Sequence, residues 1–178
     1  MVQPVDKRVL EGGSISKWRE GGNAYVSVEV SSRLASKAKV EVKIRNFSVT
    51  MDTSSALGGD DNAPRPGELL LASLAGCITQ IIAWNSALHD ISLEDVSITI
   101  RGRHELLSMF DPSVGWPGFN DIVIEVNVKT PEWDKFEKYV LPYIVAESPV
   151  LQTLVKQVPV KLRVSVNDKQ RRDLYIPD

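Results

Sequence analysis

The chain has 178 residues, of which 43% are hydrophobic and 25% charged, the balance of a globular protein rather than a disordered, collagenous or coiled-coil one. Its 21 basic and 23 acidic side chains give a formal net charge of −2, which offers no electrostatic pull toward nucleic acid or an anionic membrane. One cysteine and two histidines exclude an intrachain disulfide and a cysteine-rich zinc site, so neither a metal nor a cofactor is expected.

At roughly 150 residues per domain, one domain is expected. Residues 1–16 read as an N-terminal extension and 17–178 as a single domain. The stretch before Ile15 carries Asp6, Lys7, Arg8 and Glu11 and lacks the apolar core of a signal peptide. The most apolar run, Leu69 to Trp84, is shorter than the ~20 residues that span a bilayer. A cytoplasmic protein without membrane attachment is the expectation.

In chain order, residues 1–22 carry little pattern, with breaks at Gly12-Gly13 and Gly21-Gly22. Val26, Val28 and Val30 recur at strand period, predicting a strand over Ala24 to Val30. Lys39 to Arg45 alternates Val40, Val42 and Ile44 against charged residues, and Phe47, Val49 and Met51 continue the rhythm past a bulge expected at Asn46. A loop rich in Gly, Pro, Asp and Asn leads to Pro66, which suits a first helical turn, and Glu68, which suits a positive helix terminus. The helix predicted over Pro66 to His89 is ~36 Å long. It is apolar around most of its circumference, so something must cover its second side: another helix, another sheet or a partner subunit.

Val96 to Arg103 and Ile122 to Val128 alternate as strands, and the long connection between them holds Phe110, Trp116 and Phe119. Thr130-Pro131-Glu132 reads as an N-cap, first-turn proline and acid. Trp133, Phe136, Tyr139 and Val140 form an apolar helical stripe, read as core, which Pro142 and Pro149 split into two helical pieces. Val158 to Val166 is the last predicted strand, and Lys169 to Arg172 reads as a solvated tail. The order of strands, long helix, strands, helix and strand is α+β.

Cys77 is the one residue with evident nucleophilic capacity, and it sits inside the long helix among Leu70, Ser73, Leu74, Gln80, Ile81 and Trp84. A lone cysteine in an apolar helix is most simply a small core residue. Helix-end activation fails as well, because Cys77 lies about ten residues in and the dipole's effect fades within the first turn. A reactive thiol there needs a cation or donor from elsewhere in the fold. His89 reads as a cap for the helix end, and nothing pairs His104 into a hydrolase triad.

The run Pro66-Gly67-Glu68-Leu69-Leu70-Leu71-Ala72-Ser73-Leu74-Ala75-Gly76-Cys77 resembles the signature helix of the OsmC/Ohr family, the osmotically inducible and organic-hydroperoxide-resistance proteins. The preceding Gly58-Gly59 and Pro64-Arg65-Pro66, the strand ending in Arg45, and Ser148-Pro149-Val150 fit its OsmC-like branch, so that the resemblance runs from about Trp18 to Val166. It implies an intertwined homodimer in which two central helices per chain pack between curved antiparallel sheets. It also implies thiol-dependent peroxidase chemistry: a thiolate on the first helix attacks a hydroperoxide and becomes a sulfenic acid, which a second cysteine at a Cys-Pro motif converts to a disulfide.

Two departures bear on that chemistry. Ser148 stands where the second cysteine is expected, so an external thiol would have to resolve Cys77, while Ser148 could still donate a hydrogen bond to its thiolate. Glu68 lies nine residues before Cys77, half a turn out on an ideal helix, and so points away from it. It reads either as an N-terminal helix charge or as an anchor for an arginine near the pocket, in either subunit. Arg45 is the first choice for that arginine and Arg19 the second, ahead of Arg65 and Arg101. The site residues expected are therefore Cys77, Arg45, Glu68 and Ser148. The alternative to an enzyme is a family scaffold that binds an apolar small molecule at the dimer interface.

Overall fold

The computed structural model describes residues 2–12, 20–22, 24–156, 158–167 and 169–176. Arg19 lies outside them. The elements are α1 (Lys7–Gly12), β1 (Val30–Ser36), β2 (Lys39–Ile44), β3 (Phe47–Met51), α2 (Pro66–Leu88), β4 (Asp95–His104), β5 (Phe119–Lys129), α3 (Trp133–Tyr139), α4 (Leu141–Ala146), α5 (Pro149–Val155), β6 (Val160–Val166) and β7 (Lys169–Ile176). The architecture is α+β, as the element order implies.

Each sheet is antiparallel: β1-β2-β3, β4-β5 and β6-β7. In the central hairpin Ile98 faces Val126, Ile100 faces Ile124 and Gly102 faces Ile122, so one face of β4-β5 is an apolar carpet. α2 lies on that face. Leu74, Ile78 and Ile82 recur every four residues along it and are fully buried. They meet Ile91, Phe136 of α3, and Val140 and Ile144 beside and on α4, which forms the core. Among the described residues, none from β1, β2 or β3 joins that cluster. The opposite side of α2, including Leu70, Ser73, Gly76, Gln80 and Trp84, stays exposed within the chain. α2 is long and apolar enough to cross a membrane by length and composition, yet its core stripe is packed on β4-β5 and α3–α5.

The structure departs from the alternation at several places. Residues 24–29 form no strand, and Tyr25 is 94% exposed; a strand needs a hydrogen-bonded neighbour, and the chain pairs β2 with Val30–Ser36 instead. The break at Asn46 is no bulge: Ile44 pairs with Phe47, so Arg45-Asn46 is a two-residue hairpin turn, with Arg45 at φ 56°. Thr130 does not cap a helix. Its Oγ1 accepts the Glu132 N–H at 3.1 Å, and the helix starts at Trp133. The second helical region is three pieces rather than two, because the chain breaks at Val140 before Pro142 and again at Glu147-Ser148 before Pro149. Trp133 is 52% exposed and stacks on Phe136 rather than entering the core. The charged stretch read as a tail is β7, paired with β6.

The loop into α2 is built around Asp52. Its carboxylate accepts backbone N–H groups from Thr53 at 2.8 Å, Asn62 at 3.1 Å and Asp60 at 3.2 Å. Those backbone donors, Asn62 first, hold its pKa below the ordinary aspartate range. A side chain at Gly59 would collide with the Thr53 carbonyl, so only glycine fits where the loop folds back. Lys37 at the β1-β2 turn pairs with Asp60 and ties that hairpin to the loop.

Candidate active site

α2 delivers Cys77 one residue before the core residue Ile78, so the thiol lies about 100° from the core stripe, on its flank. It is half-buried, beside the open surface at Gly76. α4 and α5 meet at Glu147-Ser148. Ser148 is the N-cap of α5, with Pro149 in the first helical position, a pairing that satisfies an orphan helix donor and presets the turn. Its Oγ accepts the Leu151 N–H at 3.4 Å and lies 3.2 Å from Cys77 Sγ. Ser148 is fully buried, and the thiol is one of the groups packed against its hydroxyl. A thiolate has no proton to give; in that state Ser148 is the donor and Sγ the acceptor.

Glu68 sits in the first turn of the helix, nine residues before Cys77. One carboxylate oxygen accepts the Arg65 backbone N–H at 2.8 Å, and the other accepts Arg65 Nε at 3.1 Å and Nη2 at 2.7 Å. These contacts, the backbone one foremost, hold its pKa below the usual glutamate range. Glu68 therefore anchors an arginine within the chain, and that arginine is Arg65 rather than Arg45. Arg45 is exposed at the β2-β3 hairpin turn, with its guanidinium 5.2 Å from the Phe47 ring centre. Other guanidiniums are also engaged: Arg33 by Glu41, Arg101 by Glu125 and Arg103 by Asp121. The structure thus brings Cys77 and Ser148 together, while Glu68 is bound to Arg65 and Arg45 lies against Phe47.

A groove of about 890 Å³ opens between the N-terminal end of α2 and the β4-β5 hairpin. Leu57, Leu70, Leu71, Ile100, Met109 and Phe119 give it an apolar lining, with Arg65, Glu68 and His104 also in the wall. Cys77 is not part of it. Phe119 lies across the strand at Gly102, where a Cβ would approach its ring to 2.7 Å, and its edge meets His104. Gly102→Val should therefore push the ring out and destabilise the fold by about 1–3 kcal/mol, read as a lower urea midpoint; an unchanged midpoint would show that the ring yields freely. The long 105–118 connection is folded on itself by buried Ser108, whose hydroxyl lies 3.1 Å from the Trp116 carbonyl, and it exposes Phe110 and Trp116.

Sequence reading ranked Arg65 behind Arg45 and missed two contributors, Asn85 and Glu147. Arg65 stands three residues before Glu68, the spacing of helix-surface pairs, and its pairing with Glu68 could have been read from that spacing. Asn85, a carboxamide at a buried position of an apolar helix, signals a polar contact without naming its partner. Glu147, that partner, is 62 residues away.

Known structures share this architecture. An OsmC-like protein from Mycoplasma pneumoniae superposes with a TM-score of 0.64 at 16% identity over 75% of this chain and 91% of that one. An OsmC-like protein of unknown function from Vibrio cholerae gives 0.60 at 11% identity over 72% and 94%. An organic hydroperoxide resistance protein OsmC from Legionella pneumophila gives 0.56 at 18% identity over 74% and 91%. No curated protein sequence matches the chain. The family model described as OsmC-like protein matches residues 58–163, from the loop before α2 into β6, and so takes in the Cys77 helix and Ser148 alike. The chain belongs to the OsmC-like protein family.

Proposed function

We propose that the protein is a thiol-dependent hydroperoxide reductase that works through Cys77 alone and takes its resolving thiol from solution. The observation that carries this reading is the 3.2 Å contact between Cys77 Sγ and Ser148 Oγ: a half-buried thiol on the family's signature helix faces a buried hydroxyl able to donate to its thiolate. The thiolate attacks the terminal oxygen of a hydroperoxide. The O–O bond breaks, the alkoxide takes a proton and leaves as an alcohol, and the sulfur becomes a sulfenic acid. One external thiol condenses with it, releasing water and forming a mixed disulfide; a second releases Cys77 as a thiol and departs as the oxidised disulfide. Ser148 cannot form a disulfide, so its part is to support the thiolate.

A homodimer in a cytoplasmic setting is part of the proposal. A second copy would cover the exposed side of α2, where Leu70 and Trp84 meet solvent in the single chain. It would also be the source of any arginine at the thiol: Arg45 sits on a sheet that, among the described residues, adds nothing to the core cluster around Leu74. Glu68 would then act indirectly, by fixing Arg65 at the groove wall.

The test is intact mass after substoichiometric organic hydroperoxide. A gain of one oxygen atom, blocked by prior alkylation of Cys77, is expected; an unmodified mass with all peroxide remaining would overturn the reading. One observation favours a second reading, a binding protein without peroxidase activity: the 890 Å³ apolar groove does not include Cys77. Its signature would be a lipid-like molecule that co-purifies with an inert thiol.

A further inference from the structure

Eight residues beyond Cys77, a carboxamide interrupts the apolar run of α2. Asn85 is only 5% exposed. Its Nδ2 donates to the Ile81 carbonyl at 3.1 Å and to Glu147 Oε2 at 3.0 Å. A buried amide is costly unless bonded, so this side chain has a job that an alanine would not do. Glu147 immediately precedes Ser148. α2 therefore grips the corner between α4 and α5 at two points about 12 Å apart along its axis: Cys77 on Ser148, and Asn85 on Glu147. The corner's other bonds are internal to it. Gln152 Nε2 donates to the Val145 carbonyl at 2.7 Å, and the Leu151 N–H reaches Ser148. Among the described residues, Asn85–Glu147 is the polar tie, besides the Cys77–Ser148 contact, that joins this corner to the thiol's own helix.

We propose that Asn85 is a positioning residue: by holding Glu147 it fixes where Ser148 meets Cys77 and keeps the hydroxyl within donor range of the thiolate. The inference rests on reading Cys77 as the reacting thiol. Few charges compete for that role. From Leu69 to Leu88, Cys77 is the one ionisable side chain; α5 carries none, α4 carries Tyr143, and Lys156 follows α5. Lys7 of α1 pairs with Asp90, Arg101 and Arg103 of β4 pair with Glu125 and Asp121, and α3 exposes Asp134, Lys135, Glu137 and Lys138. Glu147 is the charged group at the corner itself, and Asn85 holds it.

The experiment is the pH profile of Cys77 alkylation by iodoacetamide in the full chain. Asn85→Ala should raise the midpoint by about half to one pH unit, because a thiolate that loses its donor ionises less readily. Ser148→Ala should raise it as well, and Asn85→Ala in that background should add nothing. Glu147→Gln keeps an acceptor for Asn85 and should stay at or below the wild-type midpoint. Asn85→Leu, of similar shape, provides a second variant if the alanine fails to fold. A folded Asn85 variant with an unchanged midpoint would overturn the inference, as would a full shift surviving in the Ser148→Ala background. Alkylation reads the thiol directly, so a protein that ignores peroxide would end the proposed activity and leave the Asn85 result standing.

Discussion

Cys77→Ser should reduce hydroperoxide consumption to the uncatalysed rate, a loss of roughly 100-fold or more, in an assay with an organic hydroperoxide and a small thiol reductant. The size of the effect follows from the composition. The chain has one cysteine, so no second thiol can take over. A serine hydroxyl in the same place is a poor nucleophile without a base, and no histidine is bonded to it: His89 stacks on Tyr139 and His104 packs on Phe119. The substitution is close to isosteric at a half-buried position, so the fold should survive and the comparison should isolate the chemistry. Without added thiol, wild type should consume about one peroxide per chain and stop, because nothing in the chain can resolve the sulfenic acid. Equal background rates for both proteins would remove the enzyme and leave the groove-binding reading.

Legibility followed physical locality. α2 was readable almost to the residue because a first-turn proline, an N-terminal acid and a long apolar run are all local signals. β2, β4 and β5 were readable because one face is wet and the other dry. β1 was not: Val-Ser-Ser-Arg-Leu-Ala-Ser is exposed along its whole length and has no dry face to write an alternation. The valines just before it do alternate, but the chain gives them no partner. β7 is a strand because β6 offers hydrogen bonds, whatever its charged sequence suggests. In the site, the Glu68–Arg65 pair is local and could be read from spacing. The Cys77–Ser148 contact spans 71 residues and was anticipated only through family resemblance. Asn85–Glu147 has neither a local pattern nor a resemblance behind it, and only the folded chain brings it out.

Ser148→Cys should restore an internal resolving step and give the clearest redox signature of any single substitution. Cys77 Sγ and Ser148 Oγ are 3.2 Å apart, and a disulfide needs about 2.05 Å, so the two side chains must close by roughly 1 Å. Ser148 is at a corner between two short helices, where small backbone shifts cost little compared with a strand interior. In the reduced variant the cap to Leu151 is weakened, since sulfur accepts poorly, and stability should fall by about 1 kcal/mol. After mild peroxide the bond would close a loop spanning a 71-residue separation, which the chain-entropy account values at about 4 kcal/mol before native-state strain is subtracted. The oxidised variant should therefore unfold at a higher temperature than wild type and revert on adding a dithiol, whereas wild type gains nothing from the same treatment. A reagent that traps sulfenic acids should label wild type and miss the variant, because the neighbouring thiolate reaches the sulfur first. A variant that folds and is oxidised yet forms no internal bond would mean that the 3.2 Å contact is not held in solution, and the role given to Ser148 would fall with it.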